Sequence, residues 1–446
     1  MKKHLIIPCI TICLLLSACA GKRTGLSYIT VKDTQFMLNE EPYYFVGTNY
    51  WYGAYVGSAG KTGNRARLVR ELDMMRNAGI TNLRILAASE RSDMVRSVSP
   101  AFQTAPGVYN EELLDGLDFL ISEIKKRDMH AVLYLNNFWQ WSGGMAQYLA
   151  WSNNEMIPDP DLAPEGEFSW DEYISFVGNF YHNEKAIDMY YAYIRMLLSR
   201  TNNYTGTKYS EEPAIMAWEL ANEPRPGAGQ EGFDNIPRFT EWVNETAGFI
   251  KSIDSNHLVT TGSEGEIGCL GEPMCVMSSH AGDHIDYISF HMWARNWGWF
   301  DTHDIEGTLD HSMQQAEKYI KRHIEYGKSL NKPVVLGEFG MDRDGGQFNP
   351  GTPVTARNGY FGFVFSIILN EALNKAPIAG SNFWGWGGEG RPLHDDFWWR
   401  EGDHFTADPP QEHQGLNSVY DTDIETLTII NGHSKSMNAL KYTFSN

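Results

Sequence analysis

Short β-branched or aromatic runs alternate with amphipathic helical stretches along almost the whole chain, eight times over. The runs cover residues 44–48, 80–86, 130–138, 213–223, 257–262, 285–293, 332–340 and 378–386. Between them lie helical stretches at 64–79, which stops on a glycine, and at 111–129, 186–200, 237–254, 314–329 and 357–373. Strands of this length separated by helices predict parallel pairing through crossover connections. Eight such units make an α/β chain of the (β/α)8 (TIM) barrel class, with the active face at the C-terminal ends of the strands. A hairpin at the start of the 28–50 region precedes the first strand. Long βα loops, above all the tryptophan-bearing insertion at 139–184, are expected to serve a site, because structured loops of that length seldom serve a core.

The chain has 446 residues and a formal net charge of −20, which leaves no basic surface for phosphate and excludes a nucleic-acid partner. It contains 14 Trp and 22 Tyr, a surplus suited to grooves that take sugars. The N-terminus opens with Met1, Lys2 and Lys3 and continues into an apolar run at 5–16, too short to span a bilayer. The "LSAC" that follows resembles a bacterial lipobox. Residues 1–18 are therefore expected to be a lipoprotein signal peptide, Cys19 the lipidated first residue of the mature chain, 19–27 a tether and 28–446 a single catalytic domain. Ala20 after that cysteine favours the outer membrane of a bacterial envelope. Cys269 and Cys275 then remain, and in an oxidising compartment they are expected to close a small disulfide loop, the alternative being two free thiols. Nothing near them, His280 and His284 included, has the spacing of a zinc site, so neither metal nor cofactor is expected.

The chemistry gathers at the strand ends. Arg84 ends the second run, Asn136 and Asn137 the third, Asn222 and Glu223 the fourth, His291 and Trp293 the sixth, Glu338 the seventh and Trp384 the eighth. Two carboxylates on the fourth and seventh strands of one barrel converge above its mouth. Glycoside hydrolysis needs such a pair: one carboxylic acid protonates the leaving oxygen, and the other attacks the anomeric carbon or activates water. Strict alternation would turn Asn222 away from Glu223, which predicts a bulge or bend at that strand end. Glu219, of the same parity, reads as a structural carboxylate paired with an inward arginine.

"WELANEP" and "VVLGEFG" resemble the acid/base and nucleophile strands of glycoside hydrolase family 5. "GTNYW", "NLRIL", "NEPR", "SFHMWARNWGW" and "FWGWGGEGRP" resemble its endo-β-1,4-mannanase branch. The resemblance implies Glu223 as general acid/base and Glu338 as nucleophile. It implies Asn222 as the contact to the 2-hydroxyl of the sugar being cleaved, and Arg84 as the arginine that keeps the nucleophile ionised. His291 matches the histidine beside the pair, Trp384 the platform under the same sugar, and Arg225 a contact on the leaving-group side. Asn137, or its neighbour Asn136, falls where relatives carry histidine, and Trp293 stands where they carry tyrosine. Trp51, Trp139 and Trp141 are expected either to stack on sugars or to pack the loops.

The expected activity is retaining, endo-acting hydrolysis of β-1,4-mannosidic linkages in mannan, glucomannan or galactomannan. Its partner would be a β-mannan polysaccharide or oligosaccharide, and the enzyme a lipid-anchored monomer without cofactor. A β-1,4-glucanase on the same barrel and an inactive glycan-binding lipoprotein are the alternatives.

Overall fold

The computed structural model describes residues 26–162 and 168–444, with side chains to residue 440. The expected signal peptide, Cys19 and all but the last two residues of the expected tether lie outside the described residues. Eight parallel strands form one sheet: β1 (Phe45–Asn49), β2 (Asn82–Leu86), β3 (His130–Tyr134), β4 (Ile215–Glu219), β5 (Leu258–Thr260), β6 (Ile288–Met292), β7 (Val334–Phe339) and β8 (Ile378–Phe383). Their order in the sheet is β5-β4-β3-β2-β1-β8-β7-β6. The seam between β5 and β6 is bridged by Asp286 N–H donating to Val259 O at 2.8 Å and by the Thr260 hydroxyl donating to Tyr287 O at 2.9 Å. The strands are buried on both faces, as helix-covered parallel sheets are, which explains why their sequences read as continuous apolar runs.

Eight helices surround the sheet: α1 (Arg65–Asn77), α2 (Glu111–Lys125), α3 (Glu184–Ser199), α4 (Gly229–Ile253), α5 (Pro273–His280), α6 (Ile305–Leu330), α7 (Thr355–Leu373) and α8 (Ile424–Phe444). Side-chain caps fix several starts. Asn64, Asn110, Asn183 and Asp304 each accept from a backbone N–H in the first turn of the helix that follows. The 139–184 insertion contains two further helices, Gly144–Asn153 and Trp170–Gly178, the second opened by a Ser169–Glu172 capping box. Among the described residues no helix is long and apolar enough to cross a membrane.

Helices α5 and α8 were not read from the sequence, and two further findings differ from that reading. Helix α4 starts eight residues before Pro237 and runs through it. Pro237 has no N–H to give the carbonyl of Phe233, and Phe233 is exposed, so water can take that bond. The N-terminal hairpin has a third strand, giving Thr30–Lys32, Gln35–Leu38 and Glu41–Pro42. It plugs the bottom of the barrel: Ile29 and Phe36 join Phe45, Val132, Ala217, Leu258, Val335 and Ala379 in one buried cluster. Burying Phe36 stabilises the plug by roughly 2 kcal/mol.

Cys269 and Cys275 are joined in a disulfide across the loop between β5 and α5, with their Cα atoms 5.7 Å apart. A loop this short restricts the unfolded chain modestly. Reduction, or Cys275→Ser, is expected to lower the unfolding free energy by about 2 kcal/mol, read from urea unfolding with and without reductant.

Candidate active site

The register of the strands carries the site. Asn49 of β1 pairs with Arg84 of β2, Tyr134 of β3 with Glu219 of β4, and His291 of β6 with Glu338 of β7. Beyond the regular ladder an isolated parallel bridge joins Asn137 to Asn222. There the chain bends: Glu223 has φ +52°, a left-handed conformation that costs a non-glycine residue about 1–2 kcal/mol. The bend is held from both neighbours, with Asn222 N–H donating to Asn136 O and Glu223 N–H to Gly262 O, each at 2.9 Å. Gly262 must be glycine here, because its φ is +79° and a Cβ would lie 1.9 Å from Ala221 O. The bend lets both Asn222 and Glu223 line one cavity, which strict alternation would forbid.

Arg84 is the hub beneath that cavity. Its Nε donates to both oxygens of Glu219, at 3.0 and 3.1 Å, and its Nη2 bonds Glu219 Oε1 as well. Nη1 bonds Glu338 Oε1 and donates to Asn49 Oδ1 at 3.0 Å, and Nη2 donates to Asn222 Oδ1 at 2.8 Å. The guanidinium also lies 4.6 Å from the centre of the Tyr134 ring. Glu219 is thus the structural carboxylate of the barrel interior, and Arg84 ties it to Glu338 and Asn222.

An oxygen of Glu223 and one of Glu338 lie within 4.8 Å of each other, with a ring nitrogen of His291 inside the same limit. Glu338 Oε2 accepts from the Trp293 indole N–H at 3.1 Å. Indole therefore supplies a donor to this carboxylate without a titratable hydroxyl. Glu223 Oε1 lies 2.7 Å from His291 Nδ1, and Oε2 accepts from the Trp139 indole N–H at 2.6 Å. Burial pushes both carboxyls up, and Glu338 also feels the charges of Glu223 and Glu219. Burial raises Glu338 the further of the two; Arg84, in direct contact with Glu338, opposes that rise, and Arg225 and Arg84 together oppose the rise at Glu223. Burial, with Arg84 nearby, lowers His291 well below its ordinary value and leaves the ring neutral. Glu223, His291 and Glu338 also form a donor set that suits a transition metal. The Arg84 guanidinium, already against Glu338, would repel a cation placed there.

The pair opens into a cavity of about 480 Å³. Trp384, whose peptide to Gly385 is cis, forms part of its lining and packs edge-on against Trp293 with ring centres 5.8 Å apart. Arg225 lines the side toward Trp139, Trp170 and Glu264. Asn137 does not reach the cavity: its Oδ1 accepts from Asn222 Nδ2 at 3.1 Å and its Nδ2 donates to Ser142 Oγ at 3.0 Å. It fixes the Asn222 amide from behind. Trp51 must be moved from the sugar-contacting set to the wall behind the site. It is 1 % exposed, donates through its indole N–H to Ala407 O at 2.8 Å and packs edge-on against Trp141 and Phe405. The segment after β8 covers it.

The sequence reading passed over Glu264, Ile267, Trp297, Pro409, Gln411 and Glu412, which also line the cavity. Glu264 had a weak signal, an acidic residue two positions beyond the glycine that ends the fifth run. Residues 409–412 had none, since only the path of a long loop brings them over the mouth.

The family model described as "GH family 5 beta-mannosidase-like" matches residues 26–442. Mannan endo-1,4-beta-mannosidase 4 of Solanum lycopersicum is 30% identical over 385 residues, covering 83% of this chain and 86% of its own length. The family 5 mannosidase of Rhizomucor miehei superposes with a TM-score of 0.85 at 32% identity, covering 94% of this chain and 99% of its own. A variant of that protein, solved in complex with mannosyl-fructose, has the same TM-score, identity and coverage.

Proposed function

Since the chain belongs to glycoside hydrolase family 5, in its β-mannosidase-like branch, we propose that it is a retaining, endo-acting hydrolase of β-1,4-mannosidic linkages in mannan, glucomannan or galactomannan. The observation that carries the reading is the close approach of two buried carboxylates, one against a guanidinium and the other against a neutral histidine. Oxygens within 4.8 Å of each other fit the narrower of the two glycosidase spacings, in which one carboxylate attacks the sugar directly.

In this reading Glu338, kept ionised by Arg84, attacks the anomeric carbon while Glu223 gives its proton to the departing oxygen. A glycosyl ester forms on Glu338. Glu223, now a carboxylate, takes a proton from water as that water attacks the anomeric carbon; the bond from that carbon to Glu338 breaks, and Glu338 leaves as it began. Asn222, its amide held between Arg84 and Asn137, is placed to bond the 2-hydroxyl as the ring flattens. Trp384 underlies the same sugar, and Arg225 receives the leaving-group side. Mannosyl-fructose bound to the Rhizomucor relative supports a mannosyl unit as the group recognised. Cleavage of linear mannan with no cleavage of β-glucan supports the mannanase assignment; the reverse makes the protein a β-1,4-glucanase.

The two carboxyls titrate as a pair holding one proton. The expected kcat/KM profile is a bell. Rate falls at high pH as Glu223 loses the proton that the leaving oxygen needs, and at low pH as the pair gains a second proton, on Glu338, which then ceases to be a nucleophile. A single-limbed profile on mannooligosaccharides would contradict this pairing.

One observation favours a second reading, cleavage at a chain end. Phe405 and Ala407 seal Trp51, while Pro409, Gln411 and Glu412 of the same segment line the cavity. Such a wall would stop a chain close to the scissile bond. Release of mannose as the first product of mannopentaose favours it; a spread of internal fragments favours the endo reading.

The lipid anchor at Cys19, the envelope location and the monomeric state belong to the same proposal. They rest on the leader sequence and on a site assembled from one chain. Palmitate labelling of the wild type and of Cys19→Ala tests the anchor.

A further inference from the structure

The leaving-group side of the cavity is wired to the acid/base. Trp139 Nε1 donates to Glu223 Oε2 at 2.6 Å, and the Arg225 guanidinium lies 4.8 Å from the centre of the Trp139 ring. Arg225 in turn holds one oxygen of Glu264, Oε2, from Nε at 2.6 Å and from Nη2 at 2.5 Å. Glu264 is 2 % exposed, and among the described residues the hydrogen-bond partner of its carboxylate is this guanidinium. Trp170 stands edge-on to Trp139 at 5.8 Å and is 44 % exposed, so the array reaches from solvent to the proton donor.

We propose that Trp139, Arg225 and Glu264 form one positioning array through which the leaving-group subsite orients the Glu223 carboxyl and sets its charge environment. The proposal rests on the reading of Glu223 as acid/base.

Each member acts in a known direction. The Trp139 N–H donates to a carboxylate better than to a carboxylic acid, so it favours ionised Glu223. Arg225 does the same through its charge, but Glu264, whose Oε2 takes both contacts, offsets part of that charge; burial pushes this carboxyl up to about 8 and Arg225 opposes the rise. The other groups facing Glu223 are His291 from β6, Trp293 beyond it, Glu338 from β7, Arg84 from β2 and Glu412 from the segment after β8. None of these is bonded to the array. Trp139 and Glu264 therefore pull the acid/base in opposite senses, although both belong to one wall.

Two variants test this. Trp139→Phe keeps an aromatic ring beside Arg225 and removes the N–H together with the five-membered ring that carries it. Glu264→Gln keeps the shape of the pair and removes the anion. The measurement is kcat/KM against pH for both variants and the wild type, on mannopentaose and on 2,4-dinitrophenyl β-mannotrioside, whose leaving group needs no proton. Trp139→Phe is expected to move the alkaline limb up by about half a pH unit, and Glu264→Gln to move it down by a similar amount. Trp139→Phe is also expected to lose about tenfold on mannopentaose, with a clearly smaller loss on the dinitrophenyl substrate. Limbs that move together or stay fixed, or equal losses on the two substrates, would overturn the array while leaving the hydrolase reading intact. A wild type inert on both substrates would overturn the reading and the array together.

Discussion

Replacing Glu338 by alanine is expected to lower kcat on mannooligosaccharides by on the order of 10⁴-fold or more, with little loss of stability. The two effects separate because Glu338 is one of three carboxylates, with Glu219 and Glu223, gathered around the single guanidinium of Arg84. Removing it relieves repulsion, and Arg84 keeps its contacts to Glu219, Asn222 and Asn49. Small anions make the assignment specific. With Glu338→Ala, azide can attack an activated β-mannoside from the face the carboxylate vacated, giving the α-azide. With Glu223→Ala, the glycosyl ester still forms, and azide displaces Glu338 from it to give the β-azide. Opposite anomers from the two variants would identify nucleophile and acid/base separately. The same anomer from both would contradict the roles.

The second large effect is at Arg84. Arg84→Met leaves Glu219 and Glu338 buried without their cation, and breaking a buried pair in this way costs about 3–5 kcal/mol. Activity should fall by roughly 10³-fold, because an unpaired Glu338 takes up a proton and stops being a nucleophile. The sign with pH follows. In the variant the folded-state pKa of these carboxyls rises above the unfolded value, so the loss of stability is smallest in acid, where both states are protonated. It grows as pH rises through that interval. Urea unfolding of wild type and variant at about pH 5 and about pH 8 should show the larger difference at pH 8. Adding Glu219→Gln should recover part of the stability and none of the activity. A uniform loss across pH would mean that Arg84 acts by packing alone.

The barrel was legible because its strands are short apolar runs and its helices keep their own period, and because α/β barrels place chemistry at one end of every strand. Glu223, Glu338, Arg84 and His291 could be placed from strand position alone, since strand register decides where they meet. The tryptophans could not. Trp51, Trp139 and Trp141 follow strand ends in the same manner, yet Trp51 is sealed behind the site and Trp139 reaches the acid/base. The difference is made by the segment around Phe405 and Ala407, more than 250 residues along the chain from all three, whose path no local pattern encodes. Asn137 shows the same limit at closer range. Its strand-end position was readable, but one residue of bridge geometry turns its amide onto Asn222 and away from the cavity. Helix α8 was missed for another reason. It follows a loop of some forty residues after β8 and carries polar residues on much of its length, so the rhythm of the earlier units is interrupted before it begins.

The central claim is direct attack by Glu338 on a β-mannoside, and its most immediate consequence is the anomer first released. Proton NMR during hydrolysis of mannotriose reads this before mutarotation mixes the signals. The account predicts the β-anomer first, with the α-anomer growing later. The α-anomer first, or no cleavage by the folded protein, would contradict it.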